Sequence, residues 1–387
     1  MFASAATSRF CTFADEYMRI GIVTFHNADN YGAVLQAYAL QTHLRKCGHD
    51  PFFINYRYVF EEIRKPHLAN IVTAFPKKSA RSVLELYRSW LLQKPFKTFR
   101  KTHLMLGDVE YHSYDQVVKQ PQLVDVLVCG SDQIWSPMFT AHVPDQKMSW
   151  LDFWGNSIRR IAYAGSFSTE MLPSNSIQRL SVYVKRFCAV GVREKSGIEI
   201  MSTIGRKDAV WVPDPTLLLN AYDYQEIAAI KKATAVARPI AMFIRWKTRD
   251  LEEAGNYLSL ISGQKLLLIF VSSFSWLFTG GRNGPAQWLE AIASAPFVMT
   301  DSYHALMFCL VFQRPFIVLL WNGDEAGKNV RVLSILEKLG LAHRAIERVN
   351  KAQMAYLYKE PIDWKSVDSK MKTFRKVGVD FLSAALA

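Results

Sequence analysis

Short apolar runs recur along the chain, and each is closed by a cluster of polar, charged or glycine residues. Ile20-Gly21-Ile22-Val23-Thr24-Phe25 is the first, and its composition predicts a buried strand. After a loop of turn-forming residues, 26–32, apolar residues return at helical spacing from Ala33 to Cys47. Gly48 stands where a helix commonly stops, and Phe52-Phe53-Ile54-Asn55-Tyr56 predicts the next strand. Strand, loop, helix and strand together make the building unit of a doubly wound sheet. The same alternation predicts strands at 125–129, 161–164, 187–192 and 209–212, the last stopped by Pro213-Asp214-Pro215. The pattern weakens over 216–237 and then repeats, with strands at 239–244, 265–272, 297–299 and 316–320. Helices are predicted at 250–262, 285–295, 305–312 and 329–339, and about the last forty residues read as helical.

The predicted fold is therefore α/β, with two Rossmann-like doubly wound domains. The first spans 18–220 and carries an aromatic, basic and helical insertion at about 57–120; the second spans 221–387. Residues 1–17 lack periodicity and read as a disordered or non-native extension, with Met18 an alternative start. Polar clusters follow the strands, and in parallel sheets such loops share one edge. Two facing sheets bring loops 26–32, 130–135, 165–168, 193–197, 245–247, 300–304 and 321–331 into one cleft.

Composition narrows the class. With 50% hydrophobic and 13% aromatic residues among 387, the chain is not disordered. Its apolar runs are strand-sized, too short to span a bilayer, and the amino-terminal residues lack a secretory pattern. The net charge of +13 suits an anionic substrate, a membrane surface or nucleic acid. The basic residues are dispersed, and no recognition motif makes the case for nucleic acid. Only Lys77–Lys101 reads as a basic amphipathic stretch suited to peripheral membrane contact. The five cysteines have neither zinc nor redox spacing. Cys129, Cys188 and Cys309 lie in apolar runs and are expected in the core. Cytoplasm is the expected compartment, with the inner face of the membrane as one option.

The sharpest candidate for chemistry is His304. It falls in the first turn of a helix that follows a parallel strand, where a ligand crevice opens and free N–H groups suit an anion. Imidazole also titrates near neutral pH, as an acid–base group must. Thr300, Asp301 or Ser302 can cap that helix. Arg245 ends a strand of the same half and reads as an anion clamp. Asp132 suits either sugar hydroxyls or a helix cap. Asn30 and Tyr31 suit sugar binding by hydrogen bonding and stacking. Arg193 and Glu194 read first as partners of each other or as a cap. No histidine, cysteine or carboxylate spacing suggests a metal.

Several motifs occur together: Asn30-Tyr31-Gly32-Ala33-Val34-Leu35-Gln36, Gly130-Ser131-Asp132-Gln133-Ile134-Trp135, Tyr163-Ala164-Gly165-Ser166-Phe167 and Arg193-Glu194-Lys195-Ser196-Gly197. Asp214-Pro215-Thr216, Thr300-Asp301-Ser302-Tyr303-His304 and Asn329-Val330-Arg331 continue the series. In this order and spacing the chain resembles the polysaccharide pyruvyl transferase family from about 20 to 340. The resemblance implies a fold like that of two-domain B-type glycosyltransferases. It implies transfer of the pyruvyl group of phosphoenolpyruvate onto sugar hydroxyls of a surface polysaccharide or its precursor, giving a pyruvate ketal. The partner is then a glycan or lipid-linked sugar acceptor, with no cofactor beyond the donor substrate. His304 is the expected catalytic residue. Arg245, Ser302, Tyr303, Lys328 and Arg331 are the expected donor-binding residues, and Asn30, Tyr31, Asp132 and Gln133 the acceptor-binding ones. Characterised members often place an arginine where Ser302 stands, so another cation must serve, and Arg282 is a further candidate. A nucleotide-sugar glycosyltransferase and a non-catalytic glycan-binding protein are the alternative readings.

Overall fold

The computed structural model describes residues 17–58, 93–137, 143–228, 240–244, 249–270 and 284–387. The expectations for residues 1–16, for 59–92 of the insertion with most of the basic stretch, for 229–237, and for Arg245 and Arg282 lie outside them.

The first sheet contains β1 (Arg19–Val23), β2 (Asp50–Phe53), β3 (Val126–Cys129), β4 (Arg159–Gly165), β5 (Ala189–Val192) and β6 (Val210–Trp211). Its order is β2-β1-β3-β4-β5-β6, with every pairing parallel. The second contains β7 (Ile240–Ile244), β8 (Leu266–Phe270), β9 (Val298–Thr300), β10 (Phe316–Leu319) and a short β11 (Ala345–Ile346) that the apolar pattern did not predict. Its order is β11-β10-β9-β7-β8, again parallel. Both sheets are built the same way. The second strand lies on one side of the first and all later strands on the other. The winding therefore reverses beside β1 and beside β7, and ligand crevices open at such reversals.

Hydrophobic periodicity explains which helices join the halves. Helix α1 (Tyr31–Lys46) is buried along most of its length. Its Val34, Leu35 and Ala39 share one core with Trp288 and Leu289 of α3 (Pro285–Ser294) and Leu306 and Leu310 of α4 (Tyr303–Val311). Helix α4 is apolar on nearly all sides, and every residue from Tyr303 to Val311 is buried, as expected for an interior helix. Helix α2 (Ala221–Ala228) occupies part of the region of weak pattern and adds Tyr224 and Ile227 to the same core.

The carboxyl-terminal helix α6 (Trp364–Leu386) crosses between the halves. Met371 and Phe374 pack in the core shared with α3 and α4. Leu382 and Leu386 pack instead on Ile20, Val126 and Ile161 of the first sheet. Gly378 marks the crossing, since a Cβ there would lie 2.5 Å from the Tyr163 hydroxyl.

Cys129 and Cys309 are buried thiols, but Cys188 is exposed, contrary to expectation. It precedes β5 at the open end of the sheet, so its apolar run begins before the packed strand does. No helix among the described residues is long and apolar enough to cross a membrane.

Candidate active site

At the first reversal point the loops after β1 and β3 are tied together. The Thr24 hydroxyl donates to the Ser131 carbonyl at 3.1 Å. Gln36 of α1 donates to Thr24 Oγ1 at 2.9 Å and accepts from the Ser131 N–H at 3.2 Å. One helix side chain thus fixes the turn that presents Ser131, Asp132 and Gln133. Asp132 holds φ 70°, a left-handed conformation uncommon outside glycine and tolerated best by asparagine and aspartate.

Arg193 and Asp214 stand at the ends of β5 and β6, and both side chains are fully enclosed. Arg193 Nη1 lies 3.1 Å from Asp214 Oδ2 and 3.3 Å from Asp132 Oδ1. Asp214 Oδ1 accepts from the N–H and the hydroxyl of Thr216, at 3.0 and 2.7 Å. Ser131 Oγ lies 2.9 Å from the Ala164 carbonyl and 3.3 Å from Asp214 Oδ2, one proton serving both. Glu194 turns away. Its Oε1 accepts from Ser166 Oγ and from the N–H groups of Phe167 and Ser168, at 2.8 to 3.1 Å. Arg193 and Glu194 therefore do not form the close pair expected of sequence neighbours; their contact is 4.0 Å. Successive residues leave extended backbone on opposite sides, so each finds a different partner.

His304 enters from the second half, at the reversal point beside β7 and β9. Ser302 caps α4 by accepting the Ala305 N–H at 3.4 Å, and its own N–H donates to Thr300 Oγ1 at 3.0 Å. The first turn of α4 then brings His304 Nε2 to 3.6 Å from Asp214 Oδ2. That is longer than a formed hydrogen bond. Nε2 is buried there with no hydrogen-bond partner. On the other side, a Cβ on Gly32 would lie 2.0 Å from Nδ1, so the bare first turn of α1 forms the wall.

Two guanidiniums approach the Tyr303 ring. Arg193 Cζ lies 4.7 Å and Arg331 Cζ 5.5 Å from its centroid, within cation–π reach. Arg331 is carried by α5 (Asn329–Leu339). Asn329 fixes the start of that helix by exchanging hydrogen bonds with the Trp321 backbone, at 2.9 and 2.8 Å. Arg331 Nε donates to the Lys328 carbonyl at 3.3 Å.

Burial and charge set the ionisation. Burial alone would raise the Asp214 carboxyl, but His304 and Arg193 hold it well below the usual carboxylate range. Burial alone would lower Arg193, but Asp132, Tyr303, Asp214 and Glu194 raise it above its ordinary value. Arg331 differs. Burial pushes it down to about 10, and repulsion from Arg193 adds to the fall. Arg193 is a matched cation, whereas Arg331 is a buried cation with no carboxylate in ion-pair contact among the described residues.

Of the expected site residues, the structure gathers Asp132, Gln133, Ser302, Tyr303, His304 and Arg331. Gln133 Oε1 accepts from the Ser168 hydroxyl at 2.9 Å, and Lys328 sits half-buried just ahead of α5. Asn30 uses its side chain to cap α1, accepting the Ala33 N–H at 3.2 Å. The Tyr31 ring is buried against Trp288 and Phe96. Arg193, Asp214 and Glu194 were not singled out for this role by the sequence reading. The available signal was a charged residue directly after an apolar strand, and in Asp214 a carboxylate between two prolines. A groove of about 720 Å³ lies at the opposite ends of β4–β6 against the tail of α6, and none of these residues lines it.

Two parallel sheets of one plan, a helix returning to the first, and His304 beside Asp214 at their joined reversal points make a fold of two Rossmann-like halves. The sequence profile described as polysaccharide pyruvyl transferase matches residues 30–323, and the chain belongs to that family. A comparison with curated protein sequences returns no match. Among solved structures, the chain is similar to a UDP-GlcNAc 2-epimerase from Neisseria meningitidis bound to UDP-GlcNAc, at 9% identity and TM-score 0.48, covering 94% of this chain and 98% of that one. It is similar to S. aureus MnaA with UDP at 12% identity and TM-score 0.44, covering 91% and 90%. It is similar to E. coli heptosyltransferase WaaC with ADP at 15% identity and TM-score 0.36, covering 80% and 89%. The family assignment does not rest on these three.

Proposed function

We propose that the protein moves the pyruvyl group of phosphoenolpyruvate onto two hydroxyls of a sugar, in a surface polysaccharide or its precursor, and leaves a pyruvate ketal. The observation that carries this reading is the junction of His304 with Asp214 beside Arg193 and Arg331. In the proposed reaction His304 gives a proton to the methylene carbon of the donor. The π pair forms the new C–H bond, and C2 becomes electrophilic. The first sugar hydroxyl adds to C2, and its proton returns to the imidazole. The C2–O bond to phosphate then breaks and the second hydroxyl adds. Its proton leaves with inorganic phosphate, so the atoms balance.

The donor brings a carboxylate and a phosphate, and anions favour a buried cation with no carboxylate in ion-pair contact. Arg331 meets that description among the described residues, and Ser302, Tyr303, Lys328 and the start of α4 complete the donor side. Arg245 remains proposed there as a strand-end cation. Asp132 and Gln133 form the acceptor side, where a carboxylate and an amide can orient hydroxyls; the capping role of Asn30 and the buried ring of Tyr31 suit positioning of α1 instead.

The test incubates the purified protein with phosphoenolpyruvate and cell-surface glycan acceptors, and reads phosphate release together with an acid-labile pyruvate ketal by mass spectrometry. His304→Ala is expected to lower turnover by about 10²–10⁴-fold. Turnover of UDP sugars without any ketal would replace this reading with a glycosyltransferase.

A further inference from the structure

We propose that Asp214 is a positioning residue for His304, acting across the junction of the two halves. Its charge favours the proton on Nε2, so that transfer to the donor runs through Nδ1. The proposal rests on the pyruvyl-transfer reading for its chemistry, but its geometry stands independently.

Asp214 belongs to the end of β6 and His304 to the first turn of α4, so the pair exists only when both halves are assembled. The Asp214 side chain is fully enclosed and anchored twice. Thr216 fixes Oδ1, while Arg193 and Ser131 approach Oδ2. It is thus a fixed negative charge aimed at one ring nitrogen. Nε2 is sealed from solvent and has no other partner, so a proton there is stabilised by the carboxylate and cannot readily leave. A carboxylate that faces one imidazole nitrogen fixes the tautomer and frees the other nitrogen for proton transfer.

The other nitrogen is Nδ1, and Gly32 faces it. Any side chain at position 32 would occupy the place of the ring edge, so glycine lets the imidazole seat against α1. In the transfer step His304 begins as the imidazolium, its second proton taken up together with the anionic donor, and the Nδ1–H bond breaks as the donor methylene carbon takes that proton. The ring is left neutral with its remaining proton on Nε2. Nδ1 then accepts the proton of the first sugar hydroxyl, restoring the starting charge. Asp214 stays ionised throughout.

The experiment records long-range ¹H–¹⁵N spectra of the histidine rings in the full chain, with His304 assigned by comparison with His304→Gln. The expected result is the Nε2–H tautomer of His304 in wild type, retained in Ser131→Ala, which leaves the carboxylate in place. Asp214→Asn is expected to lose that tautomer preference and to lower kcat by about 10²-fold with little change in KM for phosphoenolpyruvate. A neutral His304 protonated on Nδ1 in wild type would overturn the proposal, and so would an Asp214→Asn variant with unchanged tautomer and kcat. Should Asp214→Asn fail to fold, the wild-type tautomer alone decides. Wild type holding the Nε2–H tautomer but turning over no phosphoenolpyruvate would leave this assignment standing and sink the pyruvyl-transfer reading. Turnover with the opposite tautomer would do the reverse.

Discussion

Tyr31 and Trp288 lie ring on ring across the junction of the two halves, with centroids 5.2 Å apart and planes 4° from parallel. Tyr31 opens α1, immediately before the glycine that faces His304, and Trp288 belongs to α3. The stack therefore sets the distance between the first-half wall and the second-half histidine. Trp288 is 2% exposed, so its truncation leaves a cavity in the shared core. Trp288→Ala is expected to cost about 3–5 kcal/mol, read by chemical denaturation. Tyr31→Ala and the double variant complete a cycle, and a coupling near zero would show that the stack does not bind the halves.

Acid sensitivity should come from two buried histidines. Burial is the main cause that lowers His26 and His43, each to about 4 from an ordinary 6.5. Below pH 6.5 the unfolded chain takes up a proton at each site, while the folded chain waits until about 4. Stability is therefore full above pH 6.5 and falls as pH drops from 6.5 towards 4, by up to roughly 3 kcal/mol for each residue. Melting temperature against pH should slope steeply in that window. His26→Gln should flatten the slope, and an unchanged slope would remove His26 as its source.

Arg331 is a buried cation suited to an anion. It is buried and pushed down to about 10, and its Nε donates to the Lys328 carbonyl. Arg331→Ala is expected to weaken phosphoenolpyruvate binding by about 10–100-fold, the worth of one or two charge-assisted hydrogen bonds. Arg331→Lys should recover part of the loss, since lysine keeps the charge but not the planar fork. Calorimetry on the three proteins measures this. Equal affinity in all of them would move the donor phosphate to another cation.

The scaffold was legible in the sequence, and so were some of the residues that gather at the candidate site. Strand-sized apolar runs with helical spacing between them predicted both sheets, because local periodicity reports burial directly. The short β11 escaped, since two residues carry no period. Helix α2 escaped because its buried Tyr224 and Ile227 sit among polar neighbours. His304 stood out because it follows a strand and begins a helix. Arg193 and Asp214 did not, because what distinguishes them is each other. Twenty-one residues separate them in the chain, and no spacing rule records that two strand ends will be adjacent. Tyr31 misled for the opposite reason. Near a polar loop it reads as a platform for sugars, and only the neighbouring half shows that its face is already covered.

The contact of Gly32 with His304 sets two measurable effects against each other. Gly32 lies in the first turn of α1, and alanine is favoured over glycine within helices by up to about 1 kcal/mol. Were the position open, Gly32→Ala would make the protein slightly more stable. It is not open: the added Cβ would stand 2.0 Å from Nδ1, 2.4 Å from Cγ and 2.8 Å from Cε1 of His304. Real carbon–nitrogen contacts do not approach so closely, so either the ring swings away or α1 withdraws. Helix α1 is held by its shared core with α3 and α4 and by the Tyr31–Trp288 stack, whereas the His304 ring can turn about its two side-chain bonds. The ring is therefore the part that moves, and it moves off Asp214. Gly32→Ala is expected to keep the melting temperature within a few degrees of wild type, because a 1 kcal/mol change shifts a chain of this size by only about 2–4 °C. Turnover is expected to fall by about 10²-fold, since misplacing a catalytic group by an ångström has that effect. Gly32→Ser should behave like alanine, since it carries the same Cβ. Full turnover in both variants, with a raised melting temperature, would mean that α1 yields and that the ring does not depend on this wall.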